Sequence, residues 1–421
     1  MKFFLFNKTQ KNTTYTYELL KYLIRKNEHE YTNGDEADYI LVSLTSYFEL
    51  ETLIKARKIF PNKKIVVGGH ITLGNPLPLL RWADFVNIGA GFDFFEDIKE
   101  ENIEDLQYIL TAHKGIEDIT PNYNIRWDEC PIVQIAKYSY SYFYSTGCQY
   151  KCSFCLTSWV NKYQKTNKSE EVIRKSLPTK SQVYLISNDY IGKNVAKSVT
   201  DARIPHFLKH YNEYTKTQLI RVGVESPTER IRYFFRKNVF DEDIKEFLDL
   251  AKRINKRVTL FFIIGLDTEE DYLNWIDKIG ATMDAKPKIH IVVNYFSPEI
   301  GTPLEFFDLN DILEINLPKV QYNWKRKNAR ILFFGYRARW SSEAYYTLLQ
   351  RSNEENVEKV LSLKDIKNRE EFLEKAYKLG LEKEIEGNVN VNLKTHYFDL
   401  KEKVKNKLKE EWQEIKKERF N

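Results

Sequence analysis

The sequence of 421 residues predicts an α/β fold in three regions. In residues 1–100, short apolar runs alternate with helical patterns, which is typical of parallel strands joined by helical crossovers. From residue 140 to 296, strand-like runs return at intervals of about 35–40 residues, the spacing of βα units. Neither Gly nor Pro occurs from Tyr336 to Leu379, which favours a mostly helical third region.

The first region is expected to form an open, Rossmann-like sheet. The predicted strands are Phe3–Phe6, Tyr39–Ser43, Ile65–Val67 and Phe85–Ile88. Helical patterns at 19–24 and 50–56 lie between them. Ligands bind such sheets at the carboxyl ends of the strands. Gly68, Gly69 and the segment 89–91 follow two of the strands, so this edge is a candidate binding site.

The second region repeats the pattern with longer strands. These are predicted at Tyr140–Ser145, Gln182–Ser187, Leu219–Val224, Val258–Ile264 and Ile289–Phe296. Positions 189 and 225 are only 36 residues apart. Two helices and a strand barely fit there, because one crossover needs about a dozen residues. The third βα unit is therefore expected to be shortened or missing.

Two helix starts are predicted from capping patterns. After Val224, Ser226 would be the N-cap, Pro227 would occupy the first helical position, and Glu229 would complete a capping box. Thr268 and Asp271 form a similar box. Both helices would follow strands of the second region.

Composition favours a protein of the cytoplasm. The net charge of +5 is small beside 65 basic and 60 acidic residues, so a nucleic-acid partner is neither indicated nor ruled out. No secretory signal is recognisable, and no apolar run approaches 18 residues, so no membrane span is expected. Four cysteines are too few for a disulfide scaffold. Three of them lie within eight positions, which indicates metal in a reducing compartment.

Cys148, Cys152 and Cys155 are spaced C-x3-C-x2-C on one short loop after a strand. Three thiolates can bind three irons of a cubane cluster, which commonly has four cysteine ligands. The fourth iron would then be open to an external molecule. A zinc site, which needs four ligands, could recruit Cys130, but one distant and three close ligands are an unusual pattern. Cys130 is better interpreted as a small buried residue.

Over residues 130–305 the chain resembles the radical S-adenosylmethionine (SAM) superfamily. The resemblance implies a partial (β/α)6 barrel of TIM type and a [4Fe–4S] cluster on the three cysteines. It also implies that SAM chelates the fourth iron, with Phe154 beside its adenine. Reduction by an external flavodoxin- or ferredoxin-type donor would cleave SAM to a 5′-deoxyadenosyl radical, which abstracts hydrogen from a substrate.

Further elements of the family occur in the family's order. The segment 221–226 looks like the fourth-strand "GxES" element, 262–266 like the fifth-strand element beside adenine, and 294–303 like the "PGTP" element. The second strand ends where the family binds the SAM amino group. The SAM-binding residues that this resemblance implies, besides Phe154, are Asn188, Asp189, Glu225, Ser226, Ile264 and Gly265.

The first region is similar to the cobalamin-binding-like domain that precedes many radical SAM enzymes. The resemblance implies that backbone at Gly68 and Gly69 approaches the corrinoid. The family's ligand motif D-x-H-x-x-G is absent, and His70 matches it poorly. Some relatives bind cobalamin without a histidine, and others have lost it. The alternative is that the glycine pair only turns the chain.

Three domains follow: residues 1–125, cobalamin-binding-like; 126–310, the radical SAM barrel; and 311–421, mostly helical. Cobalamin-dependent C-methylation is the favoured reaction. The alternatives are a cobalamin-independent cyclisation, rearrangement or bond cleavage, and a non-catalytic binding module clipped by a metal. Methylthiolation is disfavoured because a second cluster needs three more cysteines and only Cys130 remains. The substrate, whether small molecule, peptide or protein, and the catalytic residues are not readable from the sequence.

Overall fold

The computed structural model describes residues 1–7, 15–179, 181–187, 199–214, 217–279, 289–327, 331–337 and 339–420. Its strands and helices alternate along the first 300 residues, and helices dominate after residue 339. The predicted α/β class is confirmed. Among the described residues, no helix combines the length and the apolarity needed to cross a membrane.

The first sheet has six strands within the described residues. They are β1 (Lys2–Leu5), β2 (Glu30–Tyr31), β3 (Tyr39–Ser43), β4 (Lys64–Gly68), β5 (Phe85–Asn87) and β6 (Ile109–Leu110). Their order is β2-β1-β3-β4-β5-β6, and only the β5–β6 pair is antiparallel. The four predicted strands are confirmed. The two-residue strands β2 and β6 were not predicted.

Both faces of this sheet are buried, as expected of parallel strands with helical crossovers. The flanking helices are α1 (Tyr15–Lys26), α2 (Leu50–Ile59) and α3 (Phe94–Asp97). Leu41 and Val66 pack with α1 in one hydrophobic core. Their neighbours Val42 and Val67 point to the other face and join a larger core shared with the second region. Because alternate side chains of β3 and β4 point to opposite faces, one face of this sheet packs in a core that it shares with the second region.

The second region contains all five predicted strands. Its strands are β7 (Val133–Ala136), β8 (Ser139–Phe143), β9 (Ser145–Thr146), β10 (Gln164–Lys165), β11 (Gln182–Ile186), β12 (Val199–Ala202), β13 (Leu219–Glu225), β14 (Arg257–Ile264), β15 (Ile289–Tyr295) and β16 (Ile331–Arg337). β8 pairs with β11, and β12 to β16 pair in sequence, all in parallel. The four-residue β12 is the third strand, so the third unit is present and short. Glu225 thus ends the fourth parallel strand, as predicted.

The helices of this region and of the C-terminal part cover the strands. They are α4 (Leu156–Val160), α5 (Glu170–Lys175), α6 (Ile204–His210), α7 (Glu229–Phe234), α8 (Asp241–Arg253), α9 (Glu269–Ile279), α10 (Leu317–Lys327), α11 (Trp340–Arg351), α12 (Val357–Leu361), α13 (Arg369–Lys378), α14 (Glu382–Ile385) and α15 (Phe398–Phe420). α15 packs back onto the segment after β15. There Lys401 and Lys405 donate to Glu305 at 2.9 and 2.8 Å.

One predicted helix start is confirmed and the other is wrong. The backbone N–H of Thr268 donates to Asp271 at 2.9 Å, and the Asp271 N–H donates back to the Thr268 hydroxyl at 3.3 Å. By contrast, α7 begins at Glu229 after Thr228 rather than after Ser226. The Ser226 hydroxyl donates instead to the fully buried Asp267 at 2.7 Å, so it links the ends of β13 and β14.

Candidate functional site

The cysteine loop, residues 148–155, lies between β9 and α4 and is anchored by contacts with protein groups. The backbone N–H of Ser153 donates to the Phe235 carbonyl at 3.0 Å, and its hydroxyl donates to the Phe234 carbonyl at 2.8 Å. The Trp159 indole N–H donates to the Cys152 carbonyl at 2.8 Å. These contacts fix the loop against the turn after α7, so its side chains are presented in a defined arrangement.

The donor set of the cysteine loop fits an iron–sulfur cluster. All four cysteines lie in the described part of the chain and are thiols rather than disulfides. Burial, with smaller contributions from nearby Cys152 and Glu299, raises the pKa of the Cys155 thiol to about 11. Metal binding must therefore displace a proton there. Within the described residues, no three His, Cys, Asp or Glu side chains converge to hold a single ion; a cubane instead places each thiolate on a different iron.

Cys130 does not belong to the cysteine loop and packs in a different core. It is 4% exposed and packs in the core that contains Tyr15 and Val133. Its thiol donates to the Arg126 carbonyl over 3.7 Å, and burial raises its pKa to about 12. Phe154 of the cysteine loop packs against the other core. This placement agrees with the interpretation of Cys130 as a small buried residue.

A cavity of about 360 Å³, called here the central cavity, opens beside the cysteine loop. It is bounded by the segments after β3 and β4, by the ends of β14 and β15, and by α11. Phe154 and Cys155 line it, and the Phe154 ring packs edge-on against Phe235 at 5.1 Å between centroids. Glu299 and Glu343 contribute carboxylates to its wall. The loop and the segments that follow β3 and β4 of the first sheet thus face one cavity.

The SAM residues predicted at the second strand cannot be placed. Asn188 and Asp189 lie outside the described residues. Ser187, just before them, is described, and its hydroxyl lies 2.5 Å from that of Ser145. The carboxyl end of β11 therefore lies against the strand pair that leads into the cysteine loop.

The fifth-strand residues are placed in the core. Ile264 is fully buried, and its carbonyl accepts from the Phe296 N–H at 2.8 Å. The Gly265 carbonyl accepts from the Leu313 N–H at 2.8 Å. Their neighbour Ile263 lines the central cavity. The side chain that this strand presents to a ligand is therefore that of Ile263, one position before the predicted pair.

Glu225, at the end of β13, forms a buried ion pair with Lys237. Its carboxylate lies 2.5 Å from the Lys237 ammonium, and the two side chains are 9% and 10% exposed. A β carbon on Gly223 would overlap this carboxylate, so the glycine makes room for the pair. Lys237 follows Phe235, whose carbonyl holds the cysteine loop. The ion pair thus joins the end of β13 to the turn after α7, the turn that also holds the cysteine loop.

Replacing Lys237 by Met should destabilise the protein by roughly 3–5 kcal/mol, because an unpaired buried carboxylate remains. Urea unfolding of the Lys237→Met variant measures this loss. The matched control is the double variant Glu225→Gln with Lys237→Met, which removes both charges and should recover much of the stability. Equal free energies of unfolding for the wild type and the single variant would show that the ion pair does not stabilise the fold.

A second cavity, of about 190 Å³, lies at the carboxyl edge of the first sheet among apolar side chains of α1 and α3. Gly68 and Gly69 both line it. A β carbon on Gly68 would lie 3.7 Å from the Asn87 side chain, an ordinary contact. Gly69 has φ 111°, and a β carbon there would overlap the Leu44 carbonyl oxygen. Gly68 can therefore face a ligand, whereas Gly69 is required by the crossing of two backbone segments.

His70 fastens the first sheet to α4. Its Nδ1 accepts from the Asn161 amide at 3.0 Å, and its Nε2 lies 3.2 Å from the Thr157 hydroxyl. Burial lowers its pKa to about 4, so the ring is neutral near pH 7. Both ring nitrogens are used in protein contacts, which agrees with its poor match to the cobalamin-ligand motif.

Sequence reasoning missed several residues of the site because their partners are distant in the chain. Asn75 donates to the carbonyl oxygens of Gln350 and Ser352 at 2.7 and 2.8 Å, which joins the first sheet to α11. Arg203 donates to Cys152 Sγ at 3.1 Å. Only the position of Arg203, directly after a strand at its carboxyl end, could have drawn attention to it.

No family model matches the chain. An uncharacterised protein of Methanocaldococcus jannaschii is 24% identical over 318 residues, which cover 68% of this chain and 71% of that protein. The ribosomal protein uS12 methylthiotransferase RimO of Nostoc punctiforme is 23% identical over 236 residues. That match covers 48% of this chain and 50% of the length of RimO.

The solved structures that are similar to the chain include two radical SAM enzymes. One is the radical SAM methyltransferase TsrM of Kitasatospora setae, with cobalamin and a [4Fe–4S] cluster bound, at a TM-score of 0.49 and 10% identity over 72% of this chain and 76% of that chain. The other is the cobalamin-dependent radical SAM enzyme OxsB. Its TM-score is 0.49 and its sequence identity is 14%, and the match covers 95% of this chain and 74% of the OxsB chain. Both structures are named as radical SAM enzymes, the superfamily that the chain resembles in its sequence motifs.

Proposed function

We propose that this chain, which resembles the radical SAM superfamily, is a radical SAM enzyme that cleaves SAM reductively at a [4Fe–4S] cluster on Cys148, Cys152 and Cys155. The observation that carries the proposal is the anchored cysteine loop opening on the central cavity. When bound, the cluster and SAM supply a 5′-deoxyadenosyl radical, and cobalamin supplies a methyl group. The reducing electron would come from an external flavodoxin- or ferredoxin-type donor, which places the enzyme in a reducing compartment such as the cytoplasm.

The residues of the chain would hold and orient these groups. The three thiols supply the iron ligands, and Phe154 offers an aromatic face at the cavity wall. We expect Asn188, Asp189 and Glu225 to contact the polar end of SAM. Ser226 supports that end through Asp267, and Ile264 with Gly265 supports the strand end on which Ile263 meets the cavity.

Cobalamin-dependent methylation of a carbon is the reaction that the arrangement supports best. The segments after β3 and β4 line the central cavity together with Cys155, so a carrier on the first sheet and a radical source on the cysteine loop would act on one substrate in that cavity. Gly68 leaves room for a ligand at the sheet edge. Asn161 and Thr157 contact both ring nitrogens of His70, so the corrinoid would bind without His70 as a ligand.

RimO is named a methylthiotransferase, and that reaction is a separate candidate. It would need a second cluster with three further cysteines. Outside the cysteine loop the sequence contains only Cys130. Cys130 is 4% exposed and packs in the core that contains Tyr15 and Val133. Methyl transfer therefore fits the chain better than methylthio transfer.

The test is anaerobic purification followed by reconstitution with iron, sulfide and hydroxocobalamin. We expect a brown protein with about four iron atoms per chain, a corrinoid retained after desalting, and 5′-deoxyadenosine formed from SAM under reduction. Iron and 5′-deoxyadenosine without retained corrinoid would favour a cobalamin-independent radical reaction. A colourless protein with one zinc and no SAM cleavage would identify a metal-clipped binding module and end the proposal.

A further inference from the structure

Arg203 occupies a position that the proposed chemistry has not used. It is the residue before α6 and directly follows β12, at the carboxyl edge of the barrel strands. Its Nη2 donates to Cys152 Sγ at 3.1 Å. Its guanidinium carbon lies 3.4 Å from the centroid of the Tyr150 ring. The ring of one loop residue thus holds the guanidinium against the sulfur of another.

The chemistry of this contact is specific to arginine. Its guanidinium is always charged, and its planar face stacks on aromatic rings while its edge donates hydrogen bonds. A charged donor to a thiolate is stronger than a neutral one. Hydrogen bonds to the ligand sulfurs are among the factors that set the reduction potential of an iron–sulfur cluster.

A second cation lies on the same loop. The Lys151 ammonium donates to the carbonyl oxygens of Cys148 and Ser158 at 3.3 and 2.7 Å. It also lies 3.6 Å from the centroid of the Tyr397 ring. Lys151 meets backbone carbonyls, whereas Arg203 meets a ligand sulfur directly. Of these two cations, Arg203 is therefore the one placed to act on the cluster itself.

We propose that Arg203 is a positioning residue that orients the Cys152 side chain and raises the reduction potential of the cluster. This inference rests on the proposed function. One electron from the external flavodoxin- or ferredoxin-type donor takes the cluster from its 2+ to its 1+ state, and no bond to Arg203 forms or breaks. The added negative charge is stabilised by the guanidinium, so reduction becomes easier.

The test compares the midpoint potentials of reconstituted wild type, Arg203→Ala and Arg203→Lys by redox titration followed with electron paramagnetic resonance. We expect a lower potential for Arg203→Ala and an intermediate one for Arg203→Lys. The matched control is Arg253→Ala. Arg253 is the last residue of α8, before the amino end of β14, and so lies at the end of the strands opposite the cysteine loop. Its guanidinium carbon lies 6.0 Å from the centroid of the Tyr211 ring. Its replacement should leave the potential unchanged.

The outcomes separate this inference from the proposed function. A wild type without a cluster would defeat the proposed function. A wild type with a full cluster whose potential equals that of Arg203→Ala would defeat the role of Arg203 alone. If Arg203→Ala assembles too little cluster to titrate, Tyr150→Leu, which removes only the supporting ring, is measured in its place. It should also lower the potential, and an unchanged potential would overturn the inference.

Discussion

The Cys152→Ala variant should lose the iron–sulfur cluster and form no 5′-deoxyadenosine from SAM. Two remaining thiolates cannot hold three corners of a cubane, and the Arg203 guanidinium would face a methyl group instead of a sulfur. Iron and acid-labile sulfide per chain, and 5′-deoxyadenosine after reduction with dithionite, measure the effect. We expect iron to fall from about four per chain to a small fraction of that value.

Cys130→Ala is the matched control because it also removes one buried thiol. Cys130 packs with Tyr15 away from the cysteine loop, so its variant should keep both the iron and the SAM cleavage. Thermal unfolding of the two apoproteins shows whether each variant folds. Loss of iron in Cys130→Ala, with full iron in Cys152→Ala, would mean that the cluster ligands have been assigned to the wrong cysteines.

The longer strands were predictable where an apolar run lies between turns, and β14 and β15 lie within one residue of their predicted bounds. β16 was missed. Its run Ile331–Arg337 is short and stands beside a long stretch without Gly or Pro, so helix was the local preference. The strand forms because β15 offers a free edge for pairing, and that edge exists only in the folded sheet.

The candidate site was predictable where neighbours in sequence share one task. The cysteine spacing and the Thr268–Asp271 cap are of this kind. The sequence predicts Ser226 as an N-cap because Pro227 and Glu229, which follow it closely, fit a helix start. In the fold, the Ser226 hydroxyl donates instead to Asp267, which lies 41 positions away in the sequence. The partners of Arg203 and Lys237 escaped prediction for the same reason, since an arginine or a lysine in the sequence does not show which distant sulfur or carboxylate it will contact.

Of the two glycines at the edge of the first sheet, only one should be indispensable for folding. Gly69 has φ 111° and ψ 179°, a conformation that only glycine adopts readily. Gly69→Ala should cost roughly 1–3 kcal/mol for this backbone. The overlap with the Leu44 carbonyl adds about 1–3 kcal/mol more. Against a typical stability of about 5–15 kcal/mol, this change should lower the urea midpoint strongly or prevent folding.

Gly68 provides the comparison that separates scaffold from binding site. Its conformation is open to other residues, and a β carbon there meets Asn87 at an ordinary 3.7 Å. Gly68→Ala should therefore unfold near the wild-type midpoint. Gly68→Leu would fill the edge cavity, so it should fold but retain less corrinoid after desalting if cobalamin approaches this strand end. A folded Gly68→Leu variant that retains as much corrinoid as the wild type would show that cobalamin does not bind beside Gly68. A Gly69→Ala variant as stable as the wild type would contradict the close approach of the Gly69 and Leu44 backbones.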